Sequence, residues 1–295
     1  MIGEVVSVLR REGGQRMRSA IAGDERLSTD DLATVADPGL FGPRSVVWRV
    51  HGESSMLIGG LRALLLQTLH PLAMAGVADH SDYVDDPWGR LHRTGRFIGA
   101  TTYGNTATAE RMVAAVRKIH GRVTGTAPDG RPYSADDPHL LAWVHVTEVD
   151  SFLAAFDRYG NGRLTDAERD RYVAEMAEIG TRLGATDLPL TRHELADALV
   201  AFRPELHYGH QAKDAVRFLL LPPGVPLLLR GAYGLIGAAS IGLLPPWARR
   251  QLRLPLLPLA DPVAIRPAAM ILTRTIGWLL NDDTARDRED RLLSA

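Results

Sequence analysis

The sequence has no cysteine. That absence excludes disulfides, thiolate ligation of haem, Cys-ligated iron–sulfur clusters and cysteine nucleophiles. Lysine is nearly missing too: the only lysines are Lys118 and Lys213, and arginine supplies the remaining basic charge. The formal net charge is -1 over 295 residues, with no basic block and no basic–aromatic stripe. Nucleic acid is therefore not an expected partner. The segment from Met1 to Arg18 carries charge throughout and lacks a long apolar run, so it does not read as a secretory signal. The longest uncharged stretch, Gly231 to Ala248, is short for a membrane span and is interrupted by glycines and by Pro245 and Pro246. It reads as buried or interfacial, and the apolar region 218–260 leaves room for peripheral membrane contact. With these absences a cytoplasmic location is expected. No Gly-rich phosphate loop, Gly-x-Ser-x-Gly elbow or His-Glu-x-x-His helix occurs.

What is present is helical periodicity. No alternating strand pattern lasts long enough to build a sheet, and the expected fold class is all-α. Residues 53–78 read as the most apolar helix, with Leu57, Leu61, Leu64, Leu65, Leu69 and Leu72 at helical spacing and only Arg62 out of keeping with burial. His70-Pro71 interrupts it, because proline disfavours α conformation in the residue before it. Asp86-Pro87 and Asp136-Asp137-Pro138 suit helix starts, predicting helices over about 88–103 and 138–158, with another over 107–122 between them. Thr165 and Thr191, each with a glutamate three residues on, read as capping boxes that begin helices at about 165–183 and 192–202. Residues 211–221 start a further helix. The tail to about 282 is apolar and broken by prolines, and 243–259 reads as a loop on the core. Residues 1–40 read as an N-terminal helical arm and 283–295 as a charged C-terminal tail.

Four groups of residues invite chemistry. In the helix over 138–158, Leu141, Val144, Glu148 and Phe152 lie on or beside the stripe of His145, which turns the imidazole inward among apolar side chains. A neutral inward histidine is a common ligand for haem iron, and equally a common satisfied core residue. Arg90 and Thr94 are four residues apart and meet on one helix face, where they can grip a carboxylate or serve as an ordinary solvated face. His70, a polar ring among leucines, requires a partner and is either a structural hydrogen-bonder or a pocket residue. Residues 157–168 approximate a calcium loop, but Tyr159 stands where an oxygen ligand is required and Arg158 and Arg163 add positive charge. The simpler reading is a helix–turn–helix connection closed by the Thr165–Glu168 box.

Several motifs then occur in order: Leu65-Leu66-Gln67-Thr68-Leu69-His70-Pro71, Gly76-Val77-Ala78-Asp79-His80-Ser81, Asp86-Pro87, Arg90-Leu91-His92-Arg93-Thr94, His120-Gly121-Arg122-Val123-Thr124-Gly125, Tyr133-Ser134-Ala135-Asp136-Asp137-Pro138 and Leu141-Ala142-Trp143-Val144-His145. This set resembles the rubber oxygenase (latex-clearing protein)/MpaB catalytic-domain family over roughly residues 45–260. The resemblance implies an all-α haem-binding, oxygenase-like domain at 41–282 and a non-covalent haem b. His145 matches the proximal iron ligand; Arg90 and Thr94 match the family's Arg-x-x-x-Thr beside the haem. Arg93 stands where relatives carry a lysine able to cap the iron. A guanidinium has no lone pair for a metal, so the resemblance implies water or an open distal position here. Asp79 and His80 are the nearest polar candidates for the family's acidic catalytic residue. The implied activity is O2-dependent oxidation, or oxidative C=C cleavage, of an apolar or polyisoprenoid-like substrate. Haem-dependent dehydrogenation, hydroxylation or peroxidation of a small metabolite, and a non-catalytic haem- or lipid-binding protein, are the competing readings. The sequence sets neither the substrate nor the oligomeric state.

Overall fold

A computed structural model describes residues 27–81, 86–255, 260–280, 290 and 292–294. The proposed arm therefore lies outside the described residues up to position 26, as does most of the charged tail. The described residues build one all-α domain with one small hairpin. Its helices are α1 (Val46–His51), α2 (Met56–Gln67), α3 (Pro71–His80), α4 (Pro87–Tyr103), α5 (Thr106–His120), α6 (Pro138–Tyr159), α7 (Asp166–Leu183), α8 (Arg192–Ala201), α9 (His210–Leu220), α10 (Leu227–Leu243), α11 (Pro246–Gln251) and α12 (Arg266–Leu280).

Helix α6 is the axis. Asp137 caps its first amides, Pro138 occupies its first turn, and its buried residues point in every direction, from Leu140 and Trp143 to Phe156 and Tyr159. A helix apolar all round must be covered all round. Its largest neighbour is α2. The two backbones approach so closely that a Cβ on Gly59 would stand 2.9 Å from the Phe152 ring and 3.0 Å from the Ser151 carbonyl oxygen. Glycine is therefore required at that crossing.

One turn on, Arg62 enters the same interface. Its side chain is only 3% exposed and pairs with Asp150 at 2.7 Å. It also donates to the Ser151 hydroxyl at 2.6 Å and to the Leu243 carbonyl at 3.0 Å. The expectation that Arg62 is the one residue of this helix facing solvent is corrected: it is buried, and it ties α2 to α6 and to the end of α10.

The predicted helix over 53–78 is two helices at 106°. Proline at the first position of α3 and extended backbone at His70 (ψ 112°) make the break. The elbow carbonyl of Leu69 accepts from the amide of His207 at 2.7 Å. The loop between α5 and α6 holds a feature not expected: β1 (Thr124–Thr126) pairs antiparallel with β2 (Pro132–Ser134). Three-residue strands are too short for alternation to show. The segment 227–280, expected as a proline-broken tail with a loop at 243–259, instead contains α10, α11 and α12; residues 256–259 lie outside the described set. Both capping boxes stand as read: Thr165 with Glu168 opens α7, and Thr191 with Glu194 opens α8. In the 157–168 loop, Glu168 also binds Arg49 at 2.8 Å, and Asp157 is held by Arg169 at 2.9 Å. The acids that would serve calcium are thus committed to cap and ion pairs.

Truncating Arg62 leaves the Asp150 carboxylate without its partner. Arg62→Ala is expected to cost about 3–5 kcal/mol in urea denaturation, and Arg62→Met, which fills the volume but also strands the acid, should recover only part of it. Equal stability of all three proteins would show that the ion pair does not join the helices.

Candidate functional site

Seven residues before the α2 crossing, on the same side of α6, the chain leaves a cavity of about 60 Å³. Four helices and one loop residue enclose it. Phe97 comes from α4, His120 from the last position of α5, Leu141, Val144, His145 and Glu148 from α6, Met176, Ile179, Gly180 and Leu183 from α7, and Ala185 from the turn that follows. The spacing explains the lining. Residues 141, 144, 145 and 148 fall on one face of α6, and 176, 179, 180 and 183 repeat the pattern on α7.

Gly180 sets the approach of these two helices. A Cβ there would lie 2.8 Å from His145 Nδ1 and 2.5 Å from the Leu188 side chain. The imidazole therefore rests against the α7 backbone, and any larger residue at 180 would push it away. Glycine at 184 (φ 107°) ends α7 in a left-handed turn that brings Ala185 back over the cavity.

The electrostatics of the cavity set it apart. His145 is 7% exposed, and its Nε2 is buried without a hydrogen-bond partner. Burial pushes its pKa down to about 4, so the ring is neutral at physiological pH, with a lone pair available. Glu148, one turn along, is half-buried, and desolvation pushes its carboxyl up to about 7. His120 Nδ1 is likewise buried and unpartnered, and desolvation lowers the pKa of that ring. Other inward histidines have partners on at least one ring nitrogen. His51 contacts the Thr102 hydroxyl at 2.8 Å and the Tyr172 hydroxyl at 3.2 Å. His70 Nε2 meets Glu205 at 3.4 Å, while its Nδ1 is buried without a partner. Two unpartnered imidazole nitrogens and a desolvated carboxyl around one cavity are a costly arrangement for stability alone.

The residues expected from the sequence are not all brought together. His145 lines the cavity. Arg90 and Thr94 lie on the side of α4 that carries Phe97, at four- and three-residue steps, but only Phe97 reaches the cavity. The Arg90 guanidinium donates to the Ser81 hydroxyl at 2.8 Å, and the Thr94 hydroxyl donates to the Arg90 carbonyl at 3.0 Å. Arg93 pairs with Asp86 at 3.2 Å in solvent. Asp79 accepts from the Tyr133 hydroxyl at 2.6 Å, and His80 contacts the Thr124 carbonyl at 3.1 Å. Both therefore brace the hairpin. His70 packs toward Trp143, two residues from His145 and so on the far side of α6. In return, Gly180 and the α7 lining residues were not singled out by sequence, and His120, though part of one of the ordered motifs, was assigned no role. The 176–179–180–183 spacing was the signal available for α7.

Could the cavity hold a metal? Among the described residues no three His, Asp or Glu side chains converge closely enough to hold an ion by themselves. The donor set instead offers one unpartnered imidazole. That suits a metal delivered in a macrocycle, which brings its own four nitrogens and asks the protein for an axial ligand. The residues thus fit a haem in chemistry and in the Gly180 cradle. The enclosed volume is room for a few waters, so a haem held by His145 would need the walls to part.

The carboxyl of Glu148 gives a test of this burial. Between its ordinary value of 4.5 and about 7 the folded state holds the proton more tightly than the unfolded chain, so this group makes stability fall as pH rises through that window. Glu148→Gln should match the parent near pH 5 and exceed it at pH 8 by about 1–3 kcal/mol in urea denaturation without added ligand. An identical difference at both pH values would mean that the carboxyl is not desolvated.

No curated protein and no solved structure matches the chain. One family model does: ER-bound oxygenase mpaB/B'/rubber oxygenase, catalytic domain, which aligns with residues 48–278. That span runs from α1 to the end of α12 and takes in every wall of the cavity. The chain therefore belongs to the MpaB/rubber oxygenase catalytic-domain family, and with it to the oxygenase-type oxidoreductases.

Proposed function

We propose that this protein is a haem b-dependent oxygenase acting with O2 on an apolar, polyisoprenoid-like substrate, with His145 as the proximal iron ligand. The observation that carries the reading is the buried, neutral imidazole of His145, whose Nε2 has no partner and which lines a cavity together with Phe97, Leu141, Val144, Met176 and Ile179. Haem bound there would supply O2 activation at its iron. The chain's own residues do the rest. Gly180 lets His145 sit against α7 and so fixes the orientation of its ring. The apolar wall excludes bulk water and favours a hydrocarbon over a polar substrate. Glu148, poised about neutrality, can hold a proton beside the imidazole. Arg90, with Thr94 one turn on, is the α4 arginine that would meet a haem propionate. The guanidinium of Arg93 has no lone pair to give a metal and so would not serve as an iron ligand.

The chemistry competing with this within the same site is haem-dependent dehydrogenation or hydroxylation of a small metabolite. Product mass separates the two: gain of two oxygens with chain scission against loss of two hydrogens or gain of one oxygen. The cofactor assignment itself rests on His145. Purified protein, supplemented with haemin, is expected to show a Soret band that shifts on dithionite reduction. His145→Ala should lose at least about 90% of that band while keeping its helical circular dichroism. A variant that retains the parent's haem content sinks the assignment.

A further inference from the structure

The last helix contradicts the usual arrangement of a surface helix, apolar inward and polar outward. Its inner face, Ala269, Thr273 and Ile276, is buried against α10 and α6. Its outer face carries Pro267, Ile271, Arg274 and Trp278 at steps of four, three and four residues, so the four lie on one side. Ile271 is 67% exposed and Trp278 48%, and Val263, four residues before Pro267, is 76% exposed. The segment Asp261–Leu280 has a mean hydropathy of 1.3, yet only 17% of its most apolar window is buried. The helix it packs against behaves likewise: α10 leaves Leu227 (78%) and Leu229 (44%) in solvent, after Leu221 at 75%.

The charges on these elements are nearly all of one sign. Arg230 on α10 and Arg266 and Arg274 on α12 are exposed. The only acid in the two helices and the segment 261–265 is Asp261, whose side chain is 18% exposed and faces Arg158 at 4.0 Å. We infer that α12, with the exposed start of α10, is a docking face for an anionic lipid bilayer, lying in the headgroup plane with Val263, Ile271 and Trp278 inserted and Arg266 and Arg274 among the phosphates. Exposed apolar side chains interleaved with arginine and a tryptophan are what such an interface selects. The packed inner face keeps α12 on the surface of the domain, as opposed to spanning the bilayer.

Flotation of the full chain with phosphatidylcholine vesicles, with and without phosphatidylglycerol, tests this. Binding is expected to the anionic vesicles, weakening with salt, and falling about fivefold for each of Arg266→Gln and Arg274→Gln. Val263→Ser with Ile271→Ser, both at exposed positions, should abolish it while leaving the thermal unfolding curve unchanged. Three results would overturn the inference. One is failure of the folded parent to float. Another is undiminished binding by the paired serine variant. The third is a parent that elutes as a dimer, becomes monomeric in that variant and binds no vesicles, which would assign the face to a second copy of the chain. The haem content of His145 is read independently, so either idea can fail alone.

Discussion

The approach of α2 to α6 through Gly59 is the constraint on which the rest of the structure depends. A side chain there would meet Phe152 and the Ser151 carbonyl, and the resulting closeness places Arg62 deep enough to reach Asp150, Ser151 and Leu243 together. A buried arginine with three partners contributes less to net stability than to a single register, since an apolar replacement of the whole group could be as stable. Here the register matters. It fixes which turn of α6 faces α2 and hence which turn, two below, faces α7. The second glycine contact, Gly180 against His145, is made at that lower turn. Two helices thus approach α6 through glycine, one to lock it and one to cradle an imidazole.

Buried polar groups are satisfied unevenly across the fold. Near the α2 crossing and α1, Arg62 has its trio, His51 contacts two hydroxyls, and the free amides of Val46 and Val47 are held by the Glu175 carboxylate at 2.9 and 3.0 Å, while Trp48 Nε1 and the Ser55 hydroxyl are buried without partners. What distinguishes His145 Nε2 and His120 Nδ1 is that both are unpartnered on residues that line one cavity. Two unpaired imidazole nitrogens around one enclosed space are the kind of local cost that persists where the groups have other work.

The elements that could be read from sequence are those specified by neighbours a few residues away. Thr165 and Thr191 announce their helices because the cap and its glutamate are three residues apart, and Pro71 announces a break because proline acts on the residue before it. The stripe 141–144–145–148 places His145 inward for the same local reason. What sequence did not disclose depends on distant partners. The 106° between α2 and α3 is stabilised by His207 closing on the Leu69 carbonyl. Arg62 looked exposed because its partners lie 88, 89 and 181 positions away. α10 carries Gly231, Gly234, Gly237 and Gly242, which argue against a helix by propensity. Its glycines at 237 and 242 are instead close to Leu220 and Asp261. His120 entered the site only because α5 ends beside α6 in space.

The size of the cavity bears on how such a site would work. A pocket built around a permanently open slot would show that slot between α4 and α6; here Phe97 closes it down to about 60 Å³. Of the surrounding helices, α5, α6 and α7 are joined by the 117–182 and 110–182 contacts and by the Gly180 cradle. The first turns of α4 leave Trp88 37% and Leu91 40% exposed, while Arg90 ties them to the Ser81 hydroxyl at 2.8 Å. If His145 holds a haem, Phe97 is the α4 side chain that would have to move with the other walls to make room for it.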